Sequence, residues 1–220
     1  MYMPSHFAEE RIEVLHALIQ AHSLAALVSL QDGELEANHI PFIVSPPTAD
    51  APYGVLRGHV ARNNLAWQSA GKGQDALLIF QGPQAYISPR WYEEKKRSGE
   101  VVPTYNYAVV HAHGPMRVVD DRQEFLQLLS DLSDYFEHKF DSPWKVSDAP
   151  AEFIDRIMDL IVGIEIPIRR ISGKWKTSQN KSTQDRVNMV DGLREINDTS
   201  PQALANIMEQ QLFETDEESK

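Results

Sequence analysis

Cysteine is absent from all 220 residues. Its absence excludes disulfide scaffolds, thiolate zinc sites and a cysteine nucleophile, and it suits a cytoplasmic chain. No run of 18 apolar residues occurs, so no membrane-spanning segment is expected. The opening MYMPSHFAEE has neither a basic nor an apolar stretch and does not read as a secretory signal. Positive charge is scarce: 21 Lys and Arg face 32 Asp and Glu, for a net charge of -11. A long-range pull on nucleic acid is therefore missing, and any DNA contact must come from a local basic patch. GxSxG, HExxH, GxxxxGK[ST] and GxGxxG do not occur. The βαβ rhythm of a doubly wound sheet is also lacking.

What is present is ordinary globular composition, 42% hydrophobic and 24% charged, in a chain long enough to bury roughly 70% of its unfolded surface. Residues 8–22 carry Ile12, Leu15, Leu18 and Ile19 at helical spacing. LAALVSL and LEANHIPFIV flank Asp32-Gly33, a strong hairpin signal. Further strands are expected at 53–60, 75–82, 85–88, 104–119 and 162–176, with a bend at Gly114-Pro115. Helices are expected at 121–140, 149–161, 182–195 and 201–213, ahead of a fraying acidic tail, ETDEESK. About six short strands with flanking helices predict an α+β chain with a mainly β core, a small antiparallel barrel. The expected division is a barrel domain over 1–180, with inserted helices at about 121–161, and a helical extension over 181–220.

Polar clusters at strand ends are the candidate sites. In GHVARNN, His59 ends a strand, and Arg62, Asn63 and Asn64 open a turn. A guanidinium fork, amides and backbone N–H groups there make an anion site, or else an ordinary helix start with a solvated arginine. SPRWY sets Ser88 and Trp91 close to Tyr86, which suits stacking on a planar ring or anchoring of a loop. In VPTYNY, Thr104 and Asn106 share one face and Tyr105 and Tyr107 the other. KWKTSQN brings Lys174 and Lys176 around Trp175, followed by Ser178 and Gln179: a second phosphate grip or a solvated strand end. His39 stands alone in its strand. His111 and His113 share a face, which permits a metal or haem as well as plain hydrogen bonding, and no metal site is assigned. Arg169, Arg170, Lys174, Lys176, Lys181 and Arg186 form the densest basic stretch, over 169–186. It reads as a DNA contact or as a strand edge protected by lysines.

Taken together, MYMPSHF, NHIPF, GHVARNN, FQGPQAYISPRWY, VPTYNYAVVHAHG and KWKTSQNK resemble, in order and spacing, the PaiB-type FMN-binding negative transcriptional regulators. The resemblance spans roughly residues 1–210. It departs at Tyr105, where the family often carries tryptophan. It implies a bacterial, cytoplasmic split β-barrel that pairs as a homodimer, binds FMN in crevices between subunits and acts as a repressor. The candidate FMN contacts are His39, His59, Arg62, Asn63, Asn64, Tyr86, Ser88, Trp91, Thr104, Asn106, Lys174, Ser178 and Gln179, with no catalytic residue assigned. A flavin-dependent oxidoreductase or haem-handling enzyme is the alternative, and a stress protein binding a small molecule without turnover is a third reading.

Overall fold

The computed structural model describes residues 1–70 and 75–218; side chains from 214 onward, and with them the acidic tail, lie outside the described residues. The chain divides into two compact units that interleave in sequence. Unit 1 comprises Met1–Arg11, Gln81–Val110 and Ser172–Lys220, and unit 2 comprises Ile12–Phe80 and His111–Ile171.

Among the described residues, ten strands form two sheets, one of six strands and one of four. The six-stranded order is β1 (Ala8–Glu9), β10 (Arg170–Lys176), β7 (Thr104–Pro115), β6 (Asp75–Ile87), β2 (Leu24–Gln31) and β3 (Glu34–Pro41). The four-stranded order is β4 (Ile43–Ser45), β5 (Val55–Ala61), β9 (Ile161–Pro167) and β8 (Arg117–Val118). The pairs β1·β10, β2·β3, β2·β6, β4·β5, β5·β9 and β8·β9 are antiparallel. Neither sheet closes on itself, and the fold is a split antiparallel barrel, α+β with a mainly β core.

In unit 2 the Asp32-Gly33 hairpin forms as its residues dictate. Asp32 and Gly33 take φ of 49° and 88°, the left-handed pair of a type I′ turn, and Gln31 faces Glu34 across it. β5 alternates with Leu56, Gly58 and Val60 buried. A Cβ at Gly58 would lie 2.8 Å from the Pro41 carbonyl, so only glycine lets the strands approach there. Helix α1 (Ile12–Ala21) buries Leu15, Leu18 and Ile19. Helix α3 (Arg122–Glu137) starts at Asp121, whose carboxylate accepts from the Gln123 and Glu124 amides, both at 2.9 Å. Its stripe, Phe125, Leu128 and Leu132, packs with Ile43 and with Met158 of helix α4 (Ala151–Leu160).

In unit 1 a second cluster joins Ala85 and Ile87 of β6 to Tyr92, to Met189, Val190 and Leu193 of helix α5 (Thr183–Arg194), and to Leu204, Ala205 and Met208 of helix α6 (Thr199–Glu218). The loop between β6 and β7 carries a 3₁₀ turn at Pro89–Trp91 and the short helix α2 (Glu94–Arg97).

Five expectations are adjusted. LEANHIPFIV is not one strand: β3 ends at Pro41, and Ile43–Ser45 forms β4 in the other sheet. The segments 75–82 and 85–88 are one strand, because Gly82 and Pro83 do not interrupt β6. Residues 162–176 are two strands, β9 and β10, separated at Ile168 and Arg169, whose amides go to Gly54 and His113 carbonyls. β7 ends at Pro115, with β8 separate beyond it. The first helix begins at Ile12, because residues 5–9 form a 3₁₀ turn and β1.

Candidate functional site

Unit 1 holds a cavity of about 640 Å³. Tyr86, Ser88, Arg90 and Trp91 from the end of β6 and its 3₁₀ turn line it, with Tyr105 of β7. The SPRWY turn builds itself locally. The Ser88 hydroxyl caps the turn, accepting from the Arg90 amide at 3.3 Å and from Arg90 Nε at 3.1 Å. That bond folds the arginine back and sets Trp91 against the apolar cluster. The Trp91 carbonyl accepts from Asn188 Nδ2 of α5 at 3.2 Å. Gly192 makes room for the indole: a Cβ there would lie 2.1 Å from Trp91 Nε1. The far wall is the start of α6. Ser200 Oγ accepts from the Gln84 amide at 2.9 Å and donates to the Gln84 carbonyl at 3.0 Å. Glu195 and Asp198 also line the cavity, so Arg90 is outnumbered by acids there and the space suits a ring better than an anion.

A cationic cluster of the same unit meets this cavity at Tyr105. Lys176 Nζ donates to Thr104 Oγ1 at 2.5 Å and to the Tyr105 carbonyl at 2.6 Å, and Tyr105 also lines the cavity. Lys174, two residues back on the same face of β10, is 7% exposed and donates to the Tyr2 carbonyl at 3.0 Å. Its ammonium lies 5.5 and 5.6 Å from the Tyr2 and Tyr107 rings. Burial, and then the neighbouring Lys174 charge, push the Lys176 pKa down. No carboxylate among the described residues pairs with either lysine. Two like charges held together without a counter-ion are the donor set a phosphate dianion would complete.

Asn106, Ser178 and Gln179 are drawn together but spend their hydrogen bonds internally. Fully buried Asn106 donates through Nδ2 to Ser178 Oγ at 2.8 Å and accepts back through Oδ1 at 3.2 Å. Ser178 holds the turn after β10 with φ of 62°. Gln179 accepts from the Thr177 amide at 2.9 Å and donates to the Trp175 carbonyl. These three rigidify the end of β10 that presents the lysines.

The remaining candidates lie in unit 2. Arg62 donates from Nε to the Asp159 carbonyl at 2.7 Å and from Nη2 to the Ile161 carbonyl at 3.0 Å, and its amide goes to the Leu160 carbonyl. The guanidinium thus closes the C-terminal end of α4, and a phosphate would have to displace two carbonyl acceptors to use it. Asn64 caps the 3₁₀ turn Leu65–Ser69 through the Ala66 amide and donates to Asn38 Oδ1 at 2.8 Å. Asn63 and His39 are exposed. His59 has its Nδ1 buried without a partner among the described residues, and burial pushes its pKa down. His111 and His113 share a face of β7; burial chiefly lowers both, and positive charge including Arg170 adds to it.

The basic stretch is less exposed than its sequence suggests. In unit 1, Lys174 and Arg186 are buried, Lys176 is half-buried and Lys181 is exposed. In unit 2, Arg169 pairs with Asp75 at 3.4 Å and Arg170 is exposed. Arg90 belongs to the SPRWY cluster but was not among the expected FMN contacts, and Gly192 and Ser200 were missed altogether. A glycine inside a helix was the one available signal, since it costs about 1 kcal/mol there unless something packs closely against it.

Comparison with known proteins follows the same lines. Residues 1–170 match the profile of a family described as "Putative FMN-binding domain". An uncharacterized protein of Emericella nidulans, AN0679, is 34% identical, over 94% of this chain and 96% of its own length. The Bacillus subtilis protein named protease synthase and sporulation protein PAI 2 is 29% identical, over 96% and 98% respectively. Among solved structures, the flavocytochrome Anf3 of Azotobacter vinelandii superposes with a TM-score of 0.57 at 14% identity, covering 84% of this chain and 78% of that one. A FAD and heme binding protein of Mycobacterium smegmatis gives 0.57 at 16%, covering 81% and 77%. At such identities the likeness shows the fold.

Proposed function

The chain belongs to the FMN-binding family that its first 170 residues match, and on that premise we propose that it holds FMN in unit 1 and works as a flavin-responsive repressor of the PaiB type, as a homodimer. The observation that carries the placement is Tyr105. It lines a cavity with aromatic walls, and its carbonyl accepts from a lysine of a cation pair that has no carboxylate partner among the described residues. FMN has that two-part chemistry, a planar ring system and a phosphate dianion. The cavity volume falls in the usual range for cofactor sites, about 300–1,000 Å³. Tyr86, Trp91 and Tyr105 would pack on the ring and exclude water, Ser88 and Arg90 would orient its polar edge, and Lys174 and Lys176 would hold the phosphate. When bound, FMN supplies the redox chemistry that these side chains lack.

The regulatory part rests on the family resemblance and on the Bacillus relative, whose name ties it to protease synthesis and sporulation. For the DNA contact, Arg170 and Lys181 are the exposed cations of the basic stretch, with Arg169 held by one acid. A second reading, a flavin-dependent oxidoreductase, is favoured by Glu195 and Asp198: two carboxylates line the same cavity and offer proton transfer beside a ring. The structural neighbours named as flavocytochrome and as FAD and heme binding protein extend that reading to haem.

The test is an absorbance spectrum of the purified protein with and without added FMN. Flavin bands that co-elute with the chain, and an affinity lowered tenfold or more by Lys176→Met, support the placement. No co-elution at micromolar concentration overturns it. NAD(P)H oxidation by the flavin-loaded protein, or a Soret band after haem addition, moves the function to the enzyme reading; an operator gel shift altered by FMN keeps it with the repressor.

A further inference from the structure

Among the described residues of unit 1, Arg186 is a buried charge with no ion pair. It stands near the start of α5, 6% exposed, on the stripe that continues through Met189, Val190 and Leu193 into the apolar cluster. Steps of three, four and seven residues keep these side chains on one face of the helix. Its Nε and Nη2 have no hydrogen-bond partner among the described residues. Those two atoms form one edge of the guanidinium. Their N–H bonds run parallel and make the side-on fork that takes two oxygens of a single oxyanion. Burial also depresses its pKa, a sign that the fold holds the charge at a cost. A methionine or leucine would extend the stripe without that penalty, so an arginine with its whole fork unmet calls for a partner.

The neighbouring charges narrow the partner's chemistry. Asp185 is buried, and its Oδ1 accepts from the Glu93 amide at 2.8 Å. Lys181 stands just before the helix, its ammonium 5.3 Å from the Tyr92 ring. Glu93 and Glu94 lie beside Ser182 and Asp185 but pair with Lys96 and Arg97, so the two cations, less Asp185, together with the half charge of the helix N-terminus, leave about +1.5. A phosphate monoester carries about -1.5 to -2, which matches better than a single carboxylate. We propose that Arg186 anchors a phosphate site in unit 1, with two phosphate oxygens on the Nε–Nη2 fork and Lys181 nearby. The site is independent of Lys174 and Lys176 and does not need the FMN reading to hold.

The experiment compares melting of the full-length protein in phosphate and in chloride at matched ionic strength. Phosphate is expected to raise the melting temperature of the native chain and to leave that of Arg186→Met unmoved. In chloride the variant is expected to melt no lower than the native chain, because a buried unpaired charge has gone. Arg186→Lys keeps a charge and loses the fork, so it too should lose the phosphate response; it serves if the methionine variant does not fold. FMN and riboflavin titrations identify the source. A tenfold loss for FMN with none for riboflavin assigns the site to the flavin's own phosphate. Unchanged affinity for both, with the inorganic phosphate response lost, assigns it to a free phosphate. Absence of flavin binding with the phosphate response intact defeats only the FMN reading. No response in the native chain, an equal response in Arg186→Lys, or a lower melting temperature of Arg186→Met in chloride overturns the proposal.

Discussion

Arg62 shows how one side chain changes meaning between sequence and fold. In GHVARNN it reads as an anion fork; in the structure its two donors close the last turn of α4. Helix C-terminal carbonyls carry partial negative charge, and a guanidinium beside them stabilises the helix end. Arg62→Ala is therefore expected to lower stability by about 1–2 kcal/mol, the worth of charge-assisted bonds at an exposed end. A shift of the urea midpoint at constant slope would register it; an unchanged midpoint would show the capping to be idle. The histidines make a second residue-scale case. Burial holds His22, His59, His111 and His113 below their ordinary pKa of 6.5. The folded state thus favours their neutral forms. Their contribution is complete above the unfolded pKa and is lost as pH falls through that value toward the depressed folded ones. Urea unfolding at pH 7.5 and pH 5.5 should show the lower stability at pH 5.5. Equal midpoints would mean that these rings gain compensating partners when protonated.

At the scale of elements, the cavity depends on how α5 meets the 3₁₀ turn at Pro89–Trp91. Gly192 lets the Trp91 indole lie against the helix, and Asn188 ties down the Trp91 carbonyl. Gly192→Ala gains helix propensity, worth about 1 kcal/mol. Its methyl group, however, collides with a ring rather than with a flexible chain end. Overpacking of this kind costs about 1–3 kcal/mol, so the net effect is expected to be destabilising or near zero, with the ring displaced. Tryptophan fluorescence should shift and flavin affinity should fall tenfold or more. Native fluorescence with native affinity would separate Trp91 from the site.

For the whole molecule, the unpartnered surface of unit 2 is the relevant fact. β3 ends its sheet, and from Glu34 to Ala37 it is exposed on both faces. Leu24 and Leu35 of that hairpin are 60% and 77% exposed, and Phe153, Ile157 and Leu160 of α4 also face solvent. Open edges and apolar faces of this kind are normally covered. A homodimer is the expected cover, as the resemblance implies. Light scattering at micromolar concentration should give about twice the 25.0 kDa chain mass; a value near 25 kDa would refute it.

The local architecture and the ligand class were legible from the residues alone. Period-two and helical spacing placed most strands and helices to within a few residues, and Asp32-Gly33 set its hairpin, because these depend on near neighbours along the chain. SPRWY, VPTYNY and KWKTSQN, taken in order, pointed to a flavin family. The short strands β1, β4 and β8 were not legible, since two or three residues carry no period and form only when a partner strand is in place. Which polar residues remain available to a ligand was decided by the tertiary structure. Asn106, Ser178 and Gln179 carry the right chemistry in the motif, yet contacts across 72 residues of chain turn the first two toward each other. Arg62 is claimed by a helix end some 97 residues away. Among the described residues, Lys174 and Lys176 are left with no carboxylate and the Arg186 fork with no acceptor, because pairing depends on what long-range packing brings within 3 Å.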